Sequence, residues 1–124
     1  MIGIDVIKIE RIKRFNERFG NKALKKFLDN DEILLAKSTH TQAGFWAAKE
    51  AISKALGLGI SQDCSFFDIK LHKTPKNAPY FTLSKHLIES FNIIDTALSI
   101  THDGDYAIAV ATIQAKNTNQ MLSH

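Results

Sequence analysis

Asp5 lies near the middle of an apolar stretch, Ile2-Gly3-Ile4-Asp5-Val6-Ile7-Lys8-Ile9. As a strand, this stretch points Ile2, Ile4 and Val6 to one side and Asp5, Ile7 and Ile9 to the other. A carboxylate in such company has to be neutralised, paired or given a metal, because burying it alone is costly. A second set of reactive groups follows in the middle of the chain. At about 100° per residue, Glu50, Ser53 and Lys54 fall with Trp46 on one helix face, with Ala47 beside them. A carboxylate, a hydroxyl and an ammonium thereby share one surface. The same Glu-to-Lys spacing also makes an ordinary exposed pair, worth roughly 0.2–0.5 kcal/mol. His102 ends a predicted strand on a face with Leu98 and Ile100. It is either a structural histidine or, beside a tight turn, an anion contact at the mouth of a cleft.

The elements that must position these groups can be read along the chain. Residues 2–9 read as a buried strand rich in β-branched side chains. Residues 10–19 continue as a helix, with Ile12, Phe15 and Phe19 at helical spacing and Gly20 as its stop. Short helical pieces at 22–28 and 31–36 are split by Asp29-Asn30. Thr39 and Gln42 offer a capping box for a long helix that ends near Leu56, with Gly57 as the stop. Phe45, Ala48, Ile52, Ala55 and Leu56 form its core stripe, and Ala47, Ala48 and Ala51 permit close approach of another group. Residues 65–73 and 80–83 read as strands joined by a turn at Lys76-Asn77-Ala78-Pro79. Ser84 can cap a short helix to Phe91, and residues 96–102 and 106–113 form a hairpin across Asp103-Gly104-Asp105. The predicted order is β-α-α-α-β-β-α-β-β, an α+β fold with one long helix packed on a mostly antiparallel sheet. The domain is expected to span residues 1–113, with a polar tail over 114–124.

The 124 residues suit one domain, and no apolar run approaches the roughly 18 residues of a membrane span. There is no secretory leader at the start, and the single cysteine, Cys64, excludes an internal disulfide, so a cytoplasmic protein is expected. Cys64, beside Phe66 and Phe67, reads as a small half-buried thiol. Net charge is +3, yet residues 8–26 alone carry eight basic and two acidic side chains. That patch is a solvated helix face or a docking surface for an acidic partner, nucleic acid or protein.

Taken together, these stretches resemble one family. Gly3-Ile4-Asp5-Val6 with Glu10-Arg11-Ile12, Ala47-Ala48-Lys49-Glu50-Ala51 with Ser53-Lys54-Ala55, Gly57-Leu58-Gly59-Ile60, and Ser99-Ile100-Thr101-His102 are similar to the signatures of the holo-acyl-carrier-protein synthases. These are the short, single-copy 4′-phosphopantetheinyl transferases of fatty acid synthesis. The resemblance implies Mg²⁺-dependent transfer of 4′-phosphopantetheine from coenzyme A to a serine of apo acyl carrier protein, releasing adenosine 3′,5′-bisphosphate. It implies Asp5 and Glu50 as metal ligands, with Glu50 also the general base. Lys54 would act on the diphosphate, His102 on a phosphate of coenzyme A, and Gly57, Gly59 and Pro79 would line the coenzyme A site. Arg11 matches the family's carrier-docking arginine, with Arg14, Arg18 and Lys22 as plausible additions. The family implies a homotrimer whose active sites lie between subunits.

Two positions depart from the pattern. Phe45 stands where the family commonly has an arginine for the coenzyme A phosphates, and Leu58 where it often has threonine. Lys37 or His40 is the candidate for the missing cation. A basic nucleic-acid-binding module would explain residues 8–26, but it leaves Asp5, Glu50 and His102 without a role and lacks aromatic–basic interleaving. A two-carboxylate metal hydrolase lacks any further ligand cluster.

Overall fold

The computed structural model describes residues 1–116. β1 (Ile2–Lys8) runs directly into α1 (Ile9–Phe19). Two single 3-10 turns and α2 (Asn30–Leu35) then lead to the long helix α3 (Thr39–Ala55). β2 (Ile69–Lys73) and β3 (Pro79–Leu83) form a hairpin, α4 (Lys85–Phe91) follows, and β4 (Ile93–Asp103) and β5 (Tyr106–Ala115) close the chain. The predicted order and the α+β class hold. Every strand pair is antiparallel, but the strands form two sheets rather than one, β1-β5-β4 and β2-β3. The β4–β5 loop is Gly104-Asp105, since Asp103 still pairs with Tyr106. β5 continues through the buried Ala115, so the polar tail does not begin at Gln114, and residues 117–124 lie outside the described residues.

α3 lies against the sheet at backbone contact. A Cβ on Gly3 would overlap the carbonyl oxygen of Ala51, so β1 can pass beneath α3 at this point only with glycine. Ala107, Ala109 and Ala111 of β5 and Ala47, Ala48 and Ala51 of α3 are all fully buried. The small residues of α3 therefore admit the sheet; that accounts for them without a ligand. The N-cap of α3 sits one residue earlier than expected. Ser38 is the N-cap, its Oγ accepting from the Thr41 N–H at 3.1 Å. Gln42 cannot close the expected capping box because it is buried, donating to the Ala36 carbonyl at 3.1 Å and accepting from Asn16 at 2.9 Å. The box appears instead at α2. There Asp29 and Glu32 exchange backbone and side-chain hydrogen bonds, both 2.8 Å.

Glu32 continues inward to a buried ion pair. Lys49 and Glu32 have side-chain exposures of 0% and 1% and lie 2.9 Å apart. The ammonium uses all three donors, on Glu32 and on the carbonyls of Phe27 at 2.8 Å and Phe66 at 2.9 Å. The other carboxylate oxygen accepts from the Leu71 N–H at 2.9 Å. One ion pair thus ties α2, α3, β2 and the segments at Phe27 and Phe66. Phe15, Phe27, Trp46 and Phe66 pack around it with ring centroids 4.9–6.3 Å apart. Cys64 is fully buried rather than half-buried, and burial followed by the nearby Asp68 charge pushes its thiol up to about 11, which keeps it an inert thiol.

The side-chain alternation of β1 is as expected, but its burial is one-sided. Gly3, Asp5 and Ile7 face α3, whereas Ile2, Ile4 and Val6 are 70%, 56% and 52% exposed. They stand opposite Thr112, Val110 and Ile108 on the same open face. The strand expected to be buried is covered on one face only within a single chain.

Candidate active site

α3 divides the reactive residues into two groups. Gly44, Ala48, Ala51 and Ala55 face the sheet. Glu50 and Lys54 flank that line on the β1 side, and Thr41 and Phe45 flank it on the opposite side, toward β4 and the β2–β3 hairpin.

On the β1 side, Lys54 Nζ donates to Asp5 Oδ1 at 2.8 Å and to the Ile4 carbonyl at 3.2 Å. The Asp5 side chain is 16% exposed and that of Lys54 51% exposed. Glu50 is half-buried, and it is held above the usual carboxylate range, first by burial and then by the Asp5 charge. The charges of Lys54 and Arg11 pull it back down. The apolar strand and the long helix therefore bring Asp5, Glu50 and Lys54 together, with Arg11 alongside. Ser53 does not join them. It is fully buried, its Oγ donating to the Glu50 carbonyl at 2.7 Å, as a helical serine does when it has no polar neighbour. Trp46 turns into the aromatic cluster instead of the site.

Two partly desolvated carboxylates, one of which feels the charge of the other, are a fit donor set for a hard divalent cation. Among the described residues, no group of three or more acidic, histidine or cysteine side chains is placed to hold a metal ion by itself. A cation here would complete its shell with phosphate oxygens and water, which is how Mg²⁺ is commonly held.

On the far side of α3, a cavity of about 180 Å³ is lined by Thr41, Gly44, Phe45, Lys73, Asn77, Pro79, Ile100 and His102. Pro79 opens β3, and Asn77 takes the left-handed conformation, φ 68°, that the turn requires. His102 Nε2 donates to the His40 carbonyl at 2.8 Å, which leaves Nδ1 available. Phe45 is buried, as its place in the core stripe requires, yet its ring also forms a wall of this cavity. Neither Lys37 nor His40 reaches it; His40 borders a different cavity, of about 550 Å³, with Lys8, Lys13 and Tyr106. The cation present is Lys73, which the sequence reading passed over. Its signal was available in the register, for Lys73 pairs across the hairpin with Pro79.

Gly57 and Gly59 close α3. Gly57, at φ 76°, donates to the Lys54 carbonyl at 2.9 Å, and Leu58 donates to Ser53 at 3.2 Å, the two bonds of a Schellman cap. Gly59 also has positive φ, 63°, and neither glycine lines the Phe45 cavity. Arg11, Arg14, Arg18 and Lys22 are all exposed. Arg14 pairs with Glu10 at 3.2 Å, and Arg18 lies over the Phe19 ring at 5.1 Å.

Residues 1–111 match the family model described as the 4′-phosphopantetheinyl transferase superfamily. The chain belongs to that superfamily. It is 53% identical over 121 residues to the holo-[acyl-carrier-protein] synthase of Sulfurimonas denitrificans, covering 98% of this chain and 100% of that one. It is similar to the holo-[acyl-carrier-protein] synthase of Helicobacter pylori, whose crystal structure is a complex with coenzyme A. The TM-score is 0.89 at 50% identity, over 92% of this chain and 100% of that one. The Bacillus anthracis enzyme, in complex with CoA (3′,5′-ADP), matches at TM-score 0.77 and 32% identity, over 93% and 96% of the two chains. Membership makes the chain a transferase with the fold described above. Among the described residues no helix is long and apolar enough to cross a membrane.

Proposed function

We propose that this transferase moves 4′-phosphopantetheine from coenzyme A to a serine hydroxyl of apo acyl carrier protein, in service of fatty acid synthesis in the cytoplasm. The observation that carries the reading is the convergence of Asp5, Glu50 and Lys54 on one side of α3. The serine Oγ forms a bond to the β-phosphorus of the coenzyme A diphosphate. The bridging P–O bond breaks, and its electron pair leaves with adenosine 3′,5′-bisphosphate. Glu50, whose proton affinity is raised by burial and by Asp5, takes the serine proton. Lys54 moves from Asp5 to the diphosphate and offsets the charge that develops there. Mg²⁺, held by Asp5 and Glu50, would supply further charge neutralisation on the diphosphate. Arg11, next to Glu50 and exposed, docks the acidic carrier, with Arg14, Arg18 and Lys22 extending the surface.

The site is completed between copies of the chain. Asp5, Glu50 and Lys54 lie on one flank of α3, and His102 and Pro79 on the other, an arrangement that supports a site drawing its halves from two copies. A head-to-tail contact that sets the first flank of one copy against the second flank of the next closes into a ring when its rotation is a whole fraction of a turn, one third for a trimer. The open face of Ile2, Ile4 and Val6 supplies apolar area for that contact. Both features support the homotrimer that the family resemblance implies.

The deciding experiment incubates the protein with apo acyl carrier protein, coenzyme A and Mg²⁺ and weighs the carrier by mass spectrometry. Addition of one phosphopantetheine is expected; an unmodified carrier overturns the reading.

A further inference from the structure

We infer that Lys73 binds the ribose 3′-phosphate of coenzyme A and is the residue by which this chain distinguishes coenzyme A from its 3′-dephospho form. The inference rests on the proposed transferase reading.

The cavity beside Phe45 contains no carboxylate among its lining residues, which are Thr41, Gly44, Phe45, Lys73, Asn77, Pro79, Ile100 and His102. Lys73 Nζ lies 5.8 Å from the centroid of the Phe45 ring. Among the described residues no acidic group lies within ion-pair distance of it. The contrast with Lys70 on the same strand is instructive. Lys70 is engaged by Asp31 at 2.8 Å and Asp29 at 3.4 Å. Lys73 is half-buried, aimed at an aromatic wall and electrostatically unspent. A cavity with one uncommitted ammonium, apolar walls from Phe45 and Pro79, and hydroxyl and amide groups from Thr41 and Asn77 suits a flat, apolar ring that carries an anion. The nucleoside end of coenzyme A has that chemistry.

Which anion binds here follows from the other flank. The reacting phosphorus belongs beside Asp5, Glu50 and Lys54, so the diphosphate is committed there. The phosphate left over is the monoester on the ribose, and Lys73 is the cation left over to receive it. His102 is the secondary contact. Its Nε2 is fixed on the His40 carbonyl, and Nδ1 can donate to a phosphate only when the ring is protonated. Lys73 needs no such condition. It therefore does from β2 what an arginine at position 45 would do from α3, and Phe45 supplies a stacking wall in place of a charge.

The test compares the parent protein, Lys73→Ala, Lys73→Arg and Lys70→Ala with coenzyme A and with 3′-dephospho-coenzyme A as donors. Lys73→Ala is expected to raise KM for coenzyme A about tenfold, the loss of one charge-assisted contact, with kcat little changed. Its KM for the dephospho donor should equal the parent's. Lys73→Arg should restore discrimination, and Lys70→Ala should leave both KM values in place. Binding of 3′,5′-ADP by calorimetry should weaken in Lys73→Ala by a similar factor. Equal effects on both donors, or none on either, would overturn the role of Lys73 while leaving transferase activity intact. A parent protein that transfers nothing from coenzyme A would overturn the function and this inference with it.

Discussion

Lys54 and Asp5 are joined by an ion pair of 2.8 Å across 49 positions of sequence, and the same ammonium also donates to the Ile4 carbonyl. Lys54 therefore shares Asp5 with any cation that binds there, and must leave it to reach a diphosphate. Lys54→Ala is expected to lower kcat by roughly 10²–10³, the usual loss on removing one group that stabilises developing charge. Binding of Mg²⁺ alone should be no weaker in that variant, since Asp5 is released. A variant with unchanged kcat would remove Lys54 from the reaction.

Glu50 makes stability depend on pH. Burial, and then Asp5, raise its folded pKa above the ordinary glutamate value. The folded chain therefore holds this proton at a pH where the unfolded chain has lost it. Stability falls as pH rises from the ordinary glutamate value through the raised one. Glu50→Gln is expected to lack that fall. The urea midpoint of the metal-free variant, relative to the parent, should climb across this range at unchanged m-value. A constant difference would show that Glu50 titrates normally.

Arg11 lies close enough to Glu50 to lower its proton affinity, yet it is exposed. A rim charge of this kind acts chiefly on the association rate and is screened by salt. Arg11→Ala should raise KM for the carrier several-fold, flatten the salt dependence of kcat/KM, and leave KM for coenzyme A nearly unchanged. Equal losses toward both substrates would contradict a docking role.

Local signals were strong enough to reveal the helix and strand order. The apolar run of β1, the Phe45–Ile52 stripe of α3 and Asn77 at the turn each carry their own period or conformational preference. Asp5, Glu50 and Lys54 could be nominated from residue type and resemblance. Ser53 and Trp46 were misjudged because helix angle places a side chain on a face without saying what covers that face. The Lys49–Glu32 pair and Lys73 were missed for a related reason. Both depend on β2, whose contacts with α2 and α3 are set by tertiary packing rather than by local pattern.

The buried Lys49–Glu32 pair should be costly to break from one side. Lys49→Met leaves a desolvated carboxylate without its cation, and a loss of about 3–5 kcal/mol in urea unfolding is expected. Adding Glu32→Gln removes the stranded charge while an amide oxygen can still accept from the Leu71 N–H. The double variant should therefore be more stable than Lys49→Met alone. A double variant less stable than the single one would mean that Glu32 stabilises the fold without Lys49.

The placement of Asp5 and Glu50 on one flank of α3 and of His102 on the other can be tested by mixing defects. On the proposed reading, Glu50→Gln would spoil the metal-binding half of a site, and His102→Ala would spoil the nucleotide half. If each site takes its halves from two neighbouring copies, a mixed oligomer contains some junctions where an intact Glu50 meets an intact His102. Co-expression of the two variants should therefore recover activity well above the sum of the variants made separately. Introducing Val6→Asp on the open sheet face should dissociate the oligomer and abolish transfer even though Asp5 and Glu50 are untouched. Activity of the mixture equal to the sum of its parts, or a fully active Val6→Asp monomer, would place the whole site within one chain.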